Sequence, residues 1–282
     1  MLLFLVRWWI YVFVLLNSGA VNSQNYRTVR DKILPFNKVV VDSLGHGNFS
    51  TIQSAIDSVP SNNKYWILIN VTAGIYREKV TIPIDKPYII LKGTAMISGN
   101  KSYFYRVGFF GLQDTLWDNY GKHYYKFCTI EGAVDFIFGA GQSLFERCSI
   151  NVIGRALGKW FVGYITAQAR ENPKDSNGFV FKNCNVSGNG STFLGRPWRP
   201  YAKVLFYNTS MANIIQPAGW DLWDSSQHEN NIMFAEYGNF GPGSNTSKRV
   251  NWTTTLDLKT VDMMTNISFI DSEGWVHQYQ QF

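Results

Sequence analysis

Cysteine is scarce. The 282 residues hold three, too few for a disulfide scaffold, and the odd number leaves at least one thiol unpaired within the chain. The four histidines, His46, His123, His228 and His277, show no metal-ligand spacing and no obvious catalytic partner, so no metal centre is expected. Lysine and arginine exceed aspartate and glutamate by six, yet the basic residues are scattered, without a basic tract or a recognised reader motif. That pattern excludes a nucleic-acid binder and suits an acidic polysaccharide as partner. Past the N-terminus no apolar run is long enough to span a bilayer, and no linker-like stretch divides the chain. One domain with a large core is expected, resting on packing rather than on disulfides.

What is present begins with an apolar run, Leu2 to Leu16, broken by Arg7 and followed by small and polar residues up to Ser23. This reads as a secretory leader over residues 1–23, cleaved before Gln24, with the domain occupying residues 24–282. A membrane anchor is the competing reading, but the stretch is nearer ~15 than ~20 residues. Nine Asn-x-Ser/Thr sequons, at Asn48, Asn70, Asn100, Asn185, Asn189, Asn208, Asn245, Asn251 and Asn266, support the secretory route and a glycosylated product. The expected location is therefore extracellular, with no membrane attachment after cleavage.

A weak repeat organises the rest. Phe104, Tyr125, Phe145, Phe181 and Phe206 are each followed three places later by Val107, Cys128, Cys148, Cys184 and Thr209, at steps of 21, 20, 36 and 25 residues. Steps of this length, filled with short strands and turns, fit a stacked β-solenoid, whose coils bury their inner faces against one another. A β-sandwich or barrel is the alternative. The long step implies an inserted loop between Asn151 and Gly163. Strands are expected at Trp66 to Val71, Tyr88 to Leu91, Val134 to Phe138, Phe179 to Phe181 and Val204 to Tyr207. A helix over Ile52 to Val59, capped by Ser50 or Thr51, would cover the open N-terminal end. Cys128 and Cys148 fall on neighbouring coils, either as buried small residues or within disulfide range.

Two segments carry the chemistry. Gly111-Leu-Gln-Asp114 and Gly132-Ala-Val-Asp135 repeat one pattern 21 residues apart. One coil of that length would set the two aspartates at equivalent points about 4.8 Å apart. Paired carboxylates among apolar neighbours have their pKa values driven apart, which yields one ionised nucleophile and one protonated acid. In the extended stretch Leu194-Gly-Arg-Pro-Trp198, Arg196 and Trp198 share a face. The guanidinium can hold a carboxylate ionised while the indole offers a platform for a sugar ring. Gln113 can donate its amide to an oxyanion if the strand bends at Gly111.

These stretches, with Gly74-Ile-Tyr-Arg-Glu78, Ile130-Glu-Gly-Ala-Val-Asp-Phe-Ile-Phe-Gly139, Ile165-Thr-Ala-Gln168 and the tail from Gly219-Trp220 through Gly241-Pro-Gly243 to Trp252, resemble in order the pectin methylesterases of plants. The resemblance implies a right-handed parallel β-helix, a cell-wall location, and hydrolysis of pectin methyl esters without a metal or organic cofactor. It implies Asp135 as nucleophile, Asp114 as general acid and then base, Gln113 as oxyanion donor, and Arg196 and Trp198 as the groups that position Asp135 and the sugar. A proteinaceous inhibitor is a further candidate partner, and a monomer is expected. One departure stands out, because a segment of roughly two or three coils at about 20 to 25 residues each separates in the family what here joins directly at Thr94 and Ala95. That segment would bring a second oxyanion glutamine, whose position, counted back from Ala95, holds Lys92. A pectin-binding or inhibitor-sequestering relative without turnover is therefore the alternative function. A calcium-dependent lyase would need an acidic cluster, and a glycosidase would cut chains.

Overall fold

A computed structural model describes residues 11–14, 37–65, 67–72, 74–77, 80, 82, 83, 85, 86, 88–92, 95–223 and 229–277. Its strands lie where the aromatic and β-branched runs lie, and they pair in parallel into sheets of eight, five and six strands. One coil places a strand in each sheet in turn. Thr129–Gly132 lies in the eight-stranded sheet, Val134–Gly139 in the five-stranded and Gln142–Glu146 in the six-stranded, and Ser149–Ile153 begins the next coil. The architecture is a parallel β-helix rather than a sandwich, since strands adjacent in sequence sit in different sheets and pair only with the coils above and below.

The aromatic repeat is the spine of the core. Phe104, Tyr125, Phe145, Phe181 and Phe206 stand in register in the six-stranded sheet. Their rings stack with successive centroid separations of 4.9, 4.5, 4.6 and 4.4 Å, close-packed apolar surface that dominates burial. The residue three places on turns the chain into the next sheet and ties it to the coil before. Cys128, Cys148 and Cys184 donate their thiols to the carbonyls of Phe104, Tyr125 and Phe145 at 3.4, 3.4 and 3.3 Å. Thr209 donates its hydroxyl to that of Phe181 at 3.4 Å. All three cysteines are free and buried, so Cys128 and Cys148 take the burial reading and not the disulfide.

The strands follow their expected positions to within a residue or two, running Ile67–Val71, Ile89–Lys92, Val134–Gly139, Gly178–Lys182 and Lys203–Tyr207. Trp66 lies outside the described residues. The inserted loop needs correction, because the 36-residue step is split between two turns. One insertion leads from Ile153 through the 3-10 helix Gly154–Leu157 to Val162, and a second follows Gln168 and ends at Gly178. The N-terminal helix is Ile52–Asp57, shorter than expected, with the Thr51 hydroxyl accepting from the Ser54 N–H. Its buried residues Ile52, Ala55 and Ile56 pack with Val41, Ile67 and Ile69 of the first strands. A second helix, Leu258–Thr265, was not foreseen. It packs with Ile270, Trp275 and Val276 over the outer face of the six-stranded sheet.

At the junction the coil keeps its phase. Ile89–Lys92 pairs with Val107–Phe110 in the eight-stranded sheet, and Ala95–Ile97 pairs with Leu116–Asp118 in the five-stranded sheet. Lys92 lies opposite Phe110 and not opposite Gln113. This corrects the position counted back from Ala95, because the turn between the two strands is three residues shorter here than in the next coil. Gly93 and Thr94 lie outside the described residues. Of residues 1–23 only Tyr11–Val14 is described, antiparallel to Gly74–Arg77; the cleavage point lies outside the described residues. Among the described residues no helix is long and apolar enough to cross a membrane.

Candidate active site

The two Gly-x-x-Asp segments form the turns from the eight-stranded into the five-stranded sheet. A Cβ on Gly111 would stand 2.4 Å from Thr115 Oγ1, and one on Gly132 would stand 2.2 Å from Phe136 Cβ, so any larger residue would force a neighbour to shift. Asp114 and Asp135 both take the left-handed region, at φ 54° and 46°, which short polar side chains tolerate better than bulky ones. Gln113 pairs with Val134 in a parallel bridge, and the Asp114 N–H donates to the Val134 carbonyl at 3.1 Å. The aspartates therefore occupy equivalent points on adjacent coils. Beyond Val134 the register with the following strand shifts before Ile137, a bulge that re-aims the Asp135 side chain.

Arg196 reaches Asp135 from two coils away. Ala167 lies in register with Arg196 on one side and Phe138 on the other, so only a methyl group stands in the path of the guanidinium. Nε donates to Asp135 Oδ1 at 3.0 Å and Nη2 donates to Oδ2, a two-pronged pair between side chains 15% and 12% exposed. Burial raises the Asp135 carboxyl above the usual carboxylate value, and Arg196 pulls against it. Among the described residues Asp114 has no such partner. Burial, then the charge of Asp135, push it up to about 6, with Arg196 opposing. Two like groups thus sit in unlike environments, with the cation bonded to only one of them.

Gln113 is exposed, and among the described residues its amide has no hydrogen-bond partner, which leaves it free to donate. Trp198 is half-buried, and its ring lies 5.9 Å from that of Phe138, which stacks on Trp117 at 5.5 Å. Trp117 and Phe138 are near-parallel at 19°, and Trp198 is tilted by 54° to Phe138, so the three rings form an angled apolar cluster. Sequence reasoning named Trp198 alone, although Trp117 and Phe138 stand in register on one sheet face. It also missed Tyr164, Asp221 and Trp223. The Arg196 guanidinium carbon lies 4.4 Å from the centroid of Tyr164 and 3.9 Å from that of Trp223.

A second polar cluster is not a competing site. His123 Nδ1 meets Asp118 Oδ1 at 2.8 Å, His123 Nε2 meets the Gly99 carbonyl at 2.8 Å, and Ser143 donates to Asp118 Oδ2 at 2.6 Å. All three side chains are fully buried, so the cluster cross-links coils where no substrate reaches. His228 lies outside the described residues. Among the described residues no group of three or more His, Cys, Asp or Glu side chains is placed to hold a metal ion.

A family model described as Pectinesterase matches residues 38–97 and 94–273. The chain is 45% identical over 296 aligned positions to probable pectinesterase 29 of Arabidopsis thaliana, covering 85% of this chain and 88% of that one. It is 44% identical over 299 positions to probable pectinesterase 55 of the same plant, covering 86% and 90%. Since 85% of 282 residues is about 240, the 296-position alignment holds about 56 positions that this chain lacks. Among solved structures it is similar to the pectin methylesterase from carrot, with a TM-score of 0.60, 25% identity and coverage of 86% and 95%. It is also similar to that of Aspergillus niger, with a TM-score of 0.55, 26% identity and coverage of 86% and 96%.

Proposed function

The chain belongs to the pectinesterase family and is a carboxylic ester hydrolase of pectin methyl esters, and from that premise we propose that Asp135 is its nucleophile, Asp114 its acid and then base, and Gln113 its oxyanion donor. The Asp135 carboxylate attacks the ester carbonyl carbon, and the oxyanion that forms accepts a hydrogen bond from the Gln113 amide. Collapse breaks the bond to the methoxy oxygen, and Asp114 gives that oxygen its proton, releasing methanol. Asp114 then takes a proton from water, which attacks the acyl-enzyme. The second collapse frees galacturonic acid and the Asp135 carboxylate with Asp114 protonated again, and the acid loses its remaining proton to solvent as galacturonate. Trp198, continuing onto Phe138 and Trp117, supports the sugar.

The observation that carries this assignment is the asymmetry of the pair. Both Asp135 oxygens accept from Arg196, a geometry that favours the anion, while Asp114 at about 6 keeps a proton into mildly acidic solution. Purified protein should release methanol from methylated pectin without shortening the polymer, and Asp135→Asn should abolish that release. Equal release by the two proteins would overturn the assignment; falling chain length would point to a lyase or glycosidase.

Secretion to the cell wall, a domain over residues 24–282 shortened near Thr94, action as a monomer and capture by an inhibitor protein belong to the same proposal. The leader and sequons support the first, and six sequon asparagines, Asn48, Asn185, Asn208, Asn245, Asn251 and Asn266, are exposed. The family match in two stretches that meet at 94–97 supports the shortening. That junction also favours a second reading, pectin or inhibitor binding without turnover. Binding to methylated pectin with no methanol release would select it.

A further inference from the structure

We propose that Asp221 and Tyr164 are positioning residues that fix Arg196 in the orientation that grips Asp135. The inference rests on the reading of Asp135 as nucleophile. Arg196 is a long side chain carrying about 2 kcal/mol of rotamer entropy, and it must cross a whole coil to reach its partner. Among the described residues its only hydrogen bonds are the two to Asp135. What holds the planar group is therefore the pair of rings on either side, Tyr164 and Trp223.

Those rings come from distant parts of the chain, and one carboxylate holds the ring hydroxyl of Tyr164 and the main chain that carries Trp223. Asp221 Oδ2 accepts from the Tyr164 hydroxyl at 2.7 Å, and Asp221 Oδ1 accepts from the backbone N–H of Trp223, two residues on, at 3.0 Å. The Asp221 N–H donates to the carbonyl of Gly195 at 3.2 Å, which anchors the bridge to the strand that bears Arg196. Tyr164 is also stacked on Phe193 at 5.5 Å. Trp223 takes a left-handed φ of 52°, costly for a bulky residue and held by the Asp221 contact. A chance surface stack on Arg196 would need none of these ties. The guanidinium is instead confined to a slot whose two walls share one anchor.

The groups facing Asp135 are Asp114, Arg196 and Tyr164. Loosening the slot weakens the one cationic contact, so the Asp135 carboxyl should titrate at higher pH. Tyr164→Phe keeps the ring and loses only the tie. Carbon-13-labelled aspartate, with the Asp135 signal assigned by its loss in Asp135→Asn, reads that titration whether or not the protein turns over. Tyr164→Phe is expected to move the Asp135 midpoint upward, and to lower kcat about tenfold with KM unchanged. Asp221→Ala should do more than Asp221→Asn, which keeps one acceptor. An unmoved Asp135 midpoint in a folded Tyr164→Phe protein would overturn the inference, as would a loss of thermal stability with the midpoint in place. Full activity in Asp135→Asn would instead sink the nucleophile reading.

Discussion

Asp114 is held in a place that disfavours its charge, and function and stability pull apart there. Its folded pKa of about 6 stands above the ordinary carboxylate value of 3.8, through burial first and the Asp135 charge second. A group with a raised folded pKa contributes its full stabilisation below the unfolded value and loses it as pH rises through the folded one. At pH 7 the ionised Asp114 therefore weakens the fold, by on the order of 1 kcal/mol once solvent screening of a half-buried group is allowed for. Asp114→Asn should abolish methanol release yet raise the thermal midpoint at pH 7 by about 2 to 4 °C; differential scanning calorimetry should find that gain gone below about pH 4. The same residue sets the alkaline limb of kcat/KM, which should fall as pH rises through about 6. The paired aspartates and Arg196 were legible in the sequence because one repeat length and one extended tripeptide define them. Tyr164 and Asp221 were not, since 57 residues separate them and only the coiling brings them together.

The turns are the elements on which both aspartates depend, and their glycines differ in what they avoid. A methyl at residue 111 would meet the Thr115 hydroxyl, a side-chain atom that can rotate, whereas one at residue 132 would meet Phe136 Cβ, which is fixed to the backbone and leads into a fully buried ring. Gly132→Ala should therefore cost more stability than Gly111→Ala, and it should also displace Asp135. Chemical denaturation and methanol release measured on both variants check the order, and equal effects would mean that the bulge after Val134 absorbs the clash. The aromatic repeat was readable because each ring recurs at one register position. The two insertions were merged into one because a step length reports only their total. Leu258–Thr265 escaped notice for a different reason: the outward residues Tyr124, Leu144, Val180 and Leu205 are themselves apolar, so the helix that covers them answers a demand visible only once that face is assembled.

Over the whole molecule, the junction at 92–95 shows what a solenoid tolerates. Each coil touches mainly its neighbours, so loss of a segment leaves the remaining sheets paired if the cut keeps phase. Here the strands before and after the junction both lie against the same following coil. Activity is less forgiving, because an oxyanion donor acts only from one place. If the proposed shortening removed a donor, the cost is a factor of about 100 to 1000, and the register of Lys92 argues against restoring it by a point substitution. Lys92 sits opposite Phe110, three residues short of Gln113. Lys92→Gln should therefore leave kcat unchanged. Inserting between Thr94 and Ala95 the segment that probable pectinesterase 29 carries between the matching stretches should keep the β-sheet circular dichroism and, if the proposed shortening removed a donor, raise kcat by about 100 to 1000-fold. Measured methanol release would separate the two. A folded insertion variant no faster than the native chain would mean that the site already has its full set of donors, and that any coils absent at the junction lie outside the chemistry.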